Sequence, residues 1–336
     1  MVTIADVAKR AGVSKMTVSR VINGSGYISQ ETRERVEKAI QELDYVPNSL
    51  ARSLRFKRTR TIGLILTDIT NPFFTTLARG VEDAASEHGF SVIFCNTDES
   101  AEEESRYVNV LTQKQVDGLL LVPTARTPES ITFLENRNLP FVLLDRRVPD
   151  FRVDVVRCDS EQGAHDLVYH LLSLGHQRIA ALGGSMHITS STDRIAGYRR
   201  ALREAGLEHE AHRAVFSSFT IEGGFSAANK ALTMQPPPTA LFAANNFIAI
   251  GAFRALREAG LRVPQDISLV SFDDLPMSVG FDPFLTIIEQ PAYEMGHRAT
   301  QLLLERLSQD GPGEPQDIIL PVNLIVRVSS APPAAG

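Results

Sequence analysis

The chain has 336 residues, of which 43% are hydrophobic, and this is enough to bury the cores of more than one domain. Its two cysteines, Cys95 and Cys158, lack CxxC spacing, no apolar run approaches about 18 residues, and residues 1–20 lack the apolar core of a signal peptide. Disulfide-stapled secreted proteins and helical membrane proteins are therefore excluded as classes, and a cytoplasmic location is expected.

Charge divides the chain into a basic head and an acidic body. Residues 1–60 hold twelve Lys/Arg and six Asp/Glu, whereas the whole chain has a net charge of −6. The head therefore carries +6 and residues 61–336 carry −12. A cationic segment fused to an anionic body predicts a polyanion partner for the head and a different task for the body.

The first predicted elements form a helix-turn-helix. Thr3 is a suitable N-cap for a first helix, Gly12 ends it, and Ser14 caps a second helix. The exposed face of that second helix would carry Lys15, Met16, Ser19 and Arg20, where side chains reach base edges in the major groove. An ordinary helical hairpin with a solvated basic face is the alternative.

A third helix is predicted from about Gln30 to Leu43, so residues 1–46 form the predicted DNA-binding domain. Residues 47–60 follow as a basic joint that begins at Pro47 and has Leu50 and Leu54 at helical spacing. An apolar wedge beside arginines is the arrangement of proteins that kink DNA from the minor groove. A plain charged linker is the alternative.

Several motifs in this region resemble the LacI family of bacterial transcription repressors: Val7-Ala8 to Gly12-Val13-Ser14, Thr17 to Asn23, and Tyr45-Val46-Pro47-Asn48 to Ala51-Arg52-Ser53-Leu54. The resemblance implies that Leu54 intercalates at the centre of an operator. The residues predicted to contact DNA are Thr3, Ser14, Lys15, Met16, Thr17, Ser19, Arg20, Asn23, Asn48, Ala51, Arg52, Leu54 and Arg55.

From residue 61 apolar strand-like runs such as Thr61–Leu66 alternate with amphipathic stretches such as Ile248–Ala259, which predicts parallel sheets with helices on both faces. About 270 residues is large for one such sheet, so two lobes are expected. The resemblance extends here, and it implies a type I periplasmic-binding-protein-like core of two doubly wound parallel-sheet lobes beneath an all-α head.

The predicted effector-binding and dimerisation domain spans residues 61–330. Lobe one would comprise about 61–160 and 291–320, and lobe two about 161–290 and 321–330. The Ala- and Pro-rich residues 331–336 are expected to be a disordered tail.

Polar residues that follow strands are the candidate binding residues, since open α/β sheets bind ligands at the carboxyl ends of their strands. They are Asp68, Asn71, Phe73, Phe74, Asp145, Arg146, Arg194, Phe219, Asn245, Asn246, Asp273 and Gln290. Carboxylates and amides bind paired hydroxyls, and an aromatic ring covers a sugar face. Alternatively, Asn71-Pro72 is only a turn, Asn245 or Asn246 only a helix cap, Asp145 a structural partner of Arg146 or Arg147, and Arg194 a surface residue in the first turn of its helix.

One departure from the family bears on the ligand. The family usually has Asn-Asp where this chain has Asn245-Asn246, and the loss of an acid beside Arg146 and Arg194 favours an anionic ligand over a neutral sugar. A sugar acid or sugar phosphate is therefore one option for the sugar-like effector.

The chain lacks the phosphate-binding Gly-rich loop, the His-Glu-x-x-His motif and the Gly-x-Ser-x-Gly elbow, so we expect no enzyme activity, no metal and no cofactor. The expected partners are double-stranded operator DNA of near-palindromic sequence, a small carbohydrate-derived effector and a second copy of the chain. An α/β enzyme or a solute-binding protein with an incidental basic arm is the competing class.

Overall fold

The computed structural model describes residues 2–23, 25–45, 58–124, 128–275, 283–308 and 313–334. The chain forms two compact units, Met1–Thr59 and Arg60–Gly336, and each is described by itself. The predicted DNA contacts Asn48, Ala51, Arg52, Leu54 and Arg55 lie outside the described residues.

The first unit contains three helices, α1 (Ile4–Ala11), α2 (Lys15–Asn23) and α3 (Gln30–Glu42). Val7, Val18 and Val36 are fully buried and bring one residue from each helix into a common core. Gly12 ends α1 with a φ of +66°, which a residue without a Cβ adopts readily. The predicted helix-turn-helix head is confirmed.

The second unit alternates strands and helices from residue 61 onward. In chain order its elements are β1 (Thr61–Leu66), α4 (Pro72–Glu87), β2 (Ser91–Asn96), α5 (Ala101–Gln113), β3 (Gly118–Leu121), α6 (Pro128–Asn136), β4 (Phe141–Leu144), β5 (Val155–Cys158), α7 (Ser160–Ser173), β6 (Ile179–Gly183), α8 (Thr189–Glu204), a 3₁₀ helix (Glu208–Arg213), β7 (Ala214–Phe216), α9 (Ile221–Leu232), β8 (Ala240–Ala243), α10 (Asn246–Glu258), β9 (Ser268–Phe272), β10 (Thr286–Glu289), α11 (Ala292–Ser308), β11 (Asp317–Leu320) and β12 (Asn323–Ile325).

The strands form two six-stranded sheets, and each sheet is the centre of one lobe. The order is β11-β5-β4-β3-β1-β2 in the first sheet and β12-β10-β9-β8-β6-β7 in the second. Every pairing is parallel except that of β10 with β12. The expected core of two parallel-sheet lobes is therefore confirmed.

The chain passes between the lobes three times, after β5, after β10 and between β11 and β12. Helix α11 follows the second crossing and packs against α4 of lobe one. Two glycines permit this close approach, because a Cβ on Gly80 would lie 2.0 Å from the Tyr293 carbonyl oxygen and one on Gly296 would lie 2.0 Å from that of Leu77.

The C-terminal segment differs from its prediction. Residues 331–334 were expected to be disordered, but the Ala331 carbonyl accepts hydrogen bonds from His176 Nε2 at 2.8 Å and Ser268 Oγ at 3.0 Å. The Ala331 N–H also donates to Ser268 Oγ at 3.1 Å. Composition misled the prediction here, since a buried histidine and serine at the end of the second sheet hold the backbone of this segment.

Candidate functional site

The exposed face of α2 is the candidate DNA-binding surface of the head. Ser14 Oγ accepts a hydrogen bond from Thr17 N at 3.1 Å and so caps the helix, as its position predicted. Val18 and Val21 face the core, while Lys15, Met16 and Arg20 are exposed, with Met16 57% exposed. Thr17 and Ser19 are half-buried, and the Asn23 side chain lies outside the described residues.

Side-chain contacts fix both ends of α1, the helix that precedes this face. The Asp6 carboxylate accepts hydrogen bonds from Thr3 N at 2.9 Å and Thr3 Oγ1 at 2.7 Å, which lowers the pKa of Asp6 and fixes the start of α1. Arg35 of α3 donates to the Ala11 carbonyl at 2.5 Å, where α1 ends. Exposed Thr3 thus lies at a helix N-terminus, a position suited to a phosphate oxygen.

A cavity of about 520 Å³ lies between the two lobes of the body. It is lined by Thr67, Asp68, Thr70, Asn71, Phe73, Phe74, Asp98, Glu99, Asp145, Arg146, Ser190, Arg194, Ser218, Phe219, Thr220, Asn245, Asp273 and Gln290. Most of these residues follow the carboxyl ends of β1, β2, β4, β6, β7, β8, β9 and β10, which meet at this cleft.

The structure brings together eleven of the twelve residues expected here, and Asn246 is the exception. Its amide is 1% exposed and pairs with the amide of Asn71 instead. Ser190 and Thr220, which follow β6 and β7 and fit the same pattern, also line the cavity. Thr67, Thr70, Asp98, Glu99 and Ser218 line it as well but were not predicted. Asp98 and Glu99 follow the end of β2 and so carry the same sequence signal.

Some of these residues also have a purely structural role. Asn71 Oδ1 caps α4 through Phe73 N at 3.1 Å, and Asn245 Oδ1 caps α10 through Ile248 N at 2.9 Å. Both asparagines nevertheless line the cavity. The alternative that Arg194 is a surface residue in the first turn of its helix is wrong. Helix α8 begins five residues earlier, at Thr189, and Arg194 is 3% exposed.

Asp145 and Asp273 occupy corresponding places in the two lobes. Each follows a strand and has a left-handed backbone, with φ of +64° and +65°, an unfavourable conformation for a residue with a Cβ. Burial raises the pKa of Asp145 despite the opposing charges of Arg146 and Arg194. Burial likewise raises the pKa of Asp273 to about 6, against the charge of Arg194 and a hydrogen bond from Gln290.

Both guanidinium groups of the cavity are largely occupied by protein partners. Arg146 donates to Glu99 Oε1 at 2.6 Å, Glu99 Oε2 at 2.8 Å and the Pro123 carbonyl at 3.1 Å. Arg194 donates to the Ala244 carbonyl at 2.7 Å and stacks on Phe272, with Cζ 3.8 Å from the ring centroid. Within the described part of the chain, the Nε atoms of both arginines, Asp145 Oδ1 and Thr67 Oγ1 are buried polar atoms without a hydrogen-bond partner, although Arg146 Nε lies 3.4 Å from Asp145 Oδ2. A bound polar molecule would satisfy them.

Aromatic rings form the apolar part of the wall. Phe73 and Phe74 meet edge to face, with centroids 5.0 Å apart. Phe219 lies against Gly184, where an added Cβ would approach within 2.4 Å of the ring. The absence of a side chain at 184 therefore sets the depth to which the Phe219 ring sits in the cleft.

A second contact region joins the lobes beside Arg146. Arg147 and Asp193 form a bidentate ion pair, and Thr189 Oγ1 bonds to both the N–H and the carbonyl of Arg147 at 3.1 Å. A smaller cavity of about 250 Å³ lies there, and Arg146 contributes to the walls of both cavities. The cleft is thus bounded by inter-lobe contacts that a change in lobe angle would have to break.

The described residues contain no group of three or more His, Cys, Asp or Glu side chains that could hold a metal ion. They also contain no helix long and apolar enough to cross a membrane.

Comparisons with known proteins match both units. Residues 3–48 match the family described as bacterial regulatory proteins, lacI family, and residues 59–328 match periplasmic binding proteins and the sugar binding domain of the LacI family. The transcriptional regulator DegA of Bacillus subtilis is 38% identical over 98% of both chains. The ribose operon repressor of Escherichia coli is 39% identical over 92% of this chain and 94% of its own.

A solved structure of the lac repressor dimer, bound to operator and to the anti-inducer ONPF, is 31% identical to this chain. It covers 98% of this chain and 99% of its own, with a TM-score of 0.86.

Proposed function

Because this chain belongs to the lacI family of bacterial regulatory proteins, we propose that it represses transcription from a near-palindromic operator under the control of a small neutral sugar bound between its lobes. The chain is a DNA-binding transcription regulator, and its relatives are regulators and repressors rather than enzymes. Such a regulator acts at the chromosome, so its site of action is the cytoplasmic nucleoid.

We assign the DNA contact to the exposed face of α2. Lys15, Met16 and Arg20 project from this helix, and the capped N-terminus of α2 lies at the same end as Lys15. Arg20 is suited to the N7 and O6 atoms of guanine, and the helix N-termini at Thr3 and at Ser14 and Thr17 are suited to phosphate. The joint residues, including Leu54, keep the intercalating role that the family resemblance implies, as a prediction from sequence.

The charge of the inter-lobe cavity favours a neutral polyol over an anion. Five carboxylates, those of Asp68, Asp98, Glu99, Asp145 and Asp273, line it together with only two guanidinium groups. Glu99 already neutralises Arg146, so the argument from Arg146 and Arg194 for an anionic ligand loses its basis. Carboxylate and amide acceptors beside Phe219 instead suit the hydroxyls and apolar face of a sugar. The ribose operon repressor among the relatives supports the same class by its name.

A second copy of the chain is the proposed partner of lobe one. Strand β2 is one of the two edges of the first sheet, and Ile93 and Phe94 on it are 38% and 36% exposed. Val110 on α5 is 38% exposed. Large apolar side chains on a sheet edge favour association, and a closed dimer would present two heads to two half-sites. The solved lac repressor dimer on its operator supports this arrangement.

The effector acts by binding the operator-bound and free forms with different affinity. An inducer lowers the affinity of the protein for the operator, and the operator lowers the affinity for the inducer by the same factor. A corepressor raises the affinity for the operator, and the operator raises the affinity for the corepressor by the same factor. The observation that carries the proposal is that both lobes contribute carboxylates, amides and hydroxyls to one cavity in a chain with a helix-turn-helix head.

The test is a gel-shift selection of operator sequences with the full chain, followed by titration of neutral sugars into the complex. A sequence-specific complex whose affinity a neutral sugar changes would support the proposal. Binding without sequence preference, or a response only to anionic ligands, would contradict it.

A further inference from the structure

The thiol of Cys158 is linked to the cavity wall through one intervening side chain. Cys158 is the last residue of β5 in the first sheet, and its Sγ donates to Gln290 Oε1 at 2.8 Å. Gln290 follows β10, and its Nε2 donates to Asp273 Oδ1 at 2.7 Å. The chain of contacts therefore runs from lobe one, through a residue at a crossing point, to the carboxylate of lobe two.

Both groups are buried, and the chemistry of the amide fixes the direction of these hydrogen bonds. Cys158 is 2% exposed and Gln290 is 7% exposed, so water has little access to either group. The Gln290 amide has one acceptor and one donor end, and only its NH₂ group can donate to a carboxylate. A thiol that donates to Oε1 holds the amide in the orientation that points NH₂ at Asp273.

The thiol stays protonated throughout the physiological range. Burial raises the pKa of Cys158 to about 12, so the sulfur remains a donor and not a thiolate. Its second neighbour is Ser160 Oγ at 3.5 Å, and this hydroxyl is also buried. The group is therefore unsuited to nucleophilic chemistry but suited to a fixed hydrogen bond.

We propose that Cys158 is a positioning residue for effector binding, which orients Gln290 so that the Gln290 NH₂ group holds the Asp273 carboxylate directed into the cavity. This inference rests on the proposed function only in taking Asp273 as an effector contact. Without the thiol, Gln290 Oε1 would be a buried acceptor with no donor, and the amide would rotate or admit water. The hydrogen bond that favours the ionised carboxylate would then weaken.

The test is a pH titration of Asp273 in the full chain without ligand. The titration is monitored by NMR through the carboxyl carbon signals of isotopically labelled aspartate. Asp273→Asn assigns the signal. Besides Gln290, the charged groups that bear on Asp273 are Arg194, Asp145 and Asp274, and all of them remain in each variant. The wild type should titrate near 6. Cys158→Ala should raise that midpoint by about half a pH unit or more, and Cys158→Ser should restore it because serine also donates.

The other buried cysteine provides the matched control. Cys95→Ala removes a thiol from the same sheet but from a different hydrophobic cluster than that of Cys158, so Asp273 should titrate in this variant as in the wild type. The S–H stretching band of a hydrogen-bonded thiol should disappear in Cys158→Ala and persist in Cys95→Ala. Effector affinity measured by calorimetry should fall about three- to tenfold in Cys158→Ala and recover in Cys158→Ser.

Identical titration of Asp273 in all variants would overturn the inference. A raised Asp273 midpoint in Cys158→Ala that stays raised in Cys158→Ser would also overturn the inference. The effect would then come from the lost side-chain volume at position 158 and not from a lost hydrogen-bond donor. If the titration behaves as expected but no sugar binds the wild type, the positioning role stands and the proposed effector class fails.

Discussion

The amides of Asn71 and Asn246 exchange two hydrogen bonds across the cleft between the lobes. Asn246 Nδ2 donates to Asn71 Oδ1 at 3.0 Å, and Asn71 Nδ2 donates to Asn246 Oδ1 at 3.2 Å. Both side chains are buried, and each also accepts from the start of its own helix, at Phe73 N and Phe247 N. The residue that departs from the usual family pattern thus serves as a link between the lobes.

Asn246→Asp should therefore weaken the contact between the lobes. A carboxylate cannot donate to Asn71 Oδ1, and its charge would be buried without a cation, so we expect a loss of about 1–3 kcal/mol in the free energy of unfolding. Urea unfolding of the full chain measures this loss. Asn229→Asp on the exposed face of α9 is the control and should behave as the wild type. Equal stability of the two variants would contradict the link.

Changes on the exposed face of α2 should separate base contacts from phosphate contacts. Arg20→Ala should cost about 1–3 kcal/mol of operator binding and relax the preference at one base pair. Replacing Lys15 and Met16 together should change which bases are preferred in a selection from random sequences. Lys38→Ala on α3 is the control and should leave the preference unaltered. If the double change weakens all sequences equally, these residues contact phosphate.

The cavity should prefer a neutral sugar to its charged derivatives. Ribose, ribonate and ribose 5-phosphate share one carbon skeleton and differ in charge, so calorimetric titration of all three isolates the electrostatic contribution. We expect the neutral compound to bind at least about tenfold more tightly, because the carboxylates that line the cavity outnumber its two guanidinium groups.

Within this set of ligands, Asp273→Asn should reduce the affinity for the neutral sugar, since it removes a charged acceptor. Glu289→Gln changes an exposed carboxylate near the end of β10 and should not alter that affinity. Tighter binding of ribose 5-phosphate than of ribose would return the assignment to an anionic effector.

Phe94→Glu should dissociate the proposed dimer. A charge on the exposed edge strand β2 opposes burial against a second copy, and isolated heads bind two half-sites more weakly than linked heads. Analytical ultracentrifugation should show a shift toward the monomer, together with a loss of operator affinity. Tyr169→Glu alters a 61%-exposed ring on α7 and should remain dimeric. A dimeric Phe94→Glu variant would place the interface elsewhere.

Acid should destabilise the body through His176. Burial lowers the pKa of this imidazole, whose Nε2 donates to the Ala331 carbonyl at 2.8 Å. Since the folded pKa lies below the unfolded value of 6.5, the stabilising effect of the neutral imidazole is complete above 6.5 and is lost as the pH falls from 6.5 through the folded pKa. The melting temperature should therefore fall between about pH 7 and 5.

His176→Gln retains a donor but does not titrate, so it should show a flatter dependence of the melting temperature on pH. His212→Gln, at an exposed position, should follow the wild-type curve. Parallel curves for the wild type and His176→Gln would remove His176 as the cause.

The sequence predicted the place of most cavity residues but not their partnerships. Three aspartates were predicted because each lies within two residues of the end of an apolar strand: Asp68, Asp145 and Asp273. The carboxyl ends of parallel strands meet at one edge of a sheet. Glu99 and Arg146 are 47 residues apart, and Asn71 and Asn246 are 175 apart. The periodicity of a local segment does not reveal such distant pairs. The prediction of an anionic ligand relied in part on Arg146, and the sequence did not show that Glu99 is its partner.

The order of the strands also constrains how the chain is made. The first sheet receives its edge strand β11 and its covering helix α11 only from residues 292–320, and the second sheet receives β10 and β12 only from residues 286–325. Neither lobe can be completed on the ribosome until nearly the whole chain has been synthesised, whereas the head is complete within its first 45 residues. A premature stop between codons 292 and 316 would therefore release a chain with a finished DNA-binding head and two unfinished lobes, because β11 and β12 would both be missing.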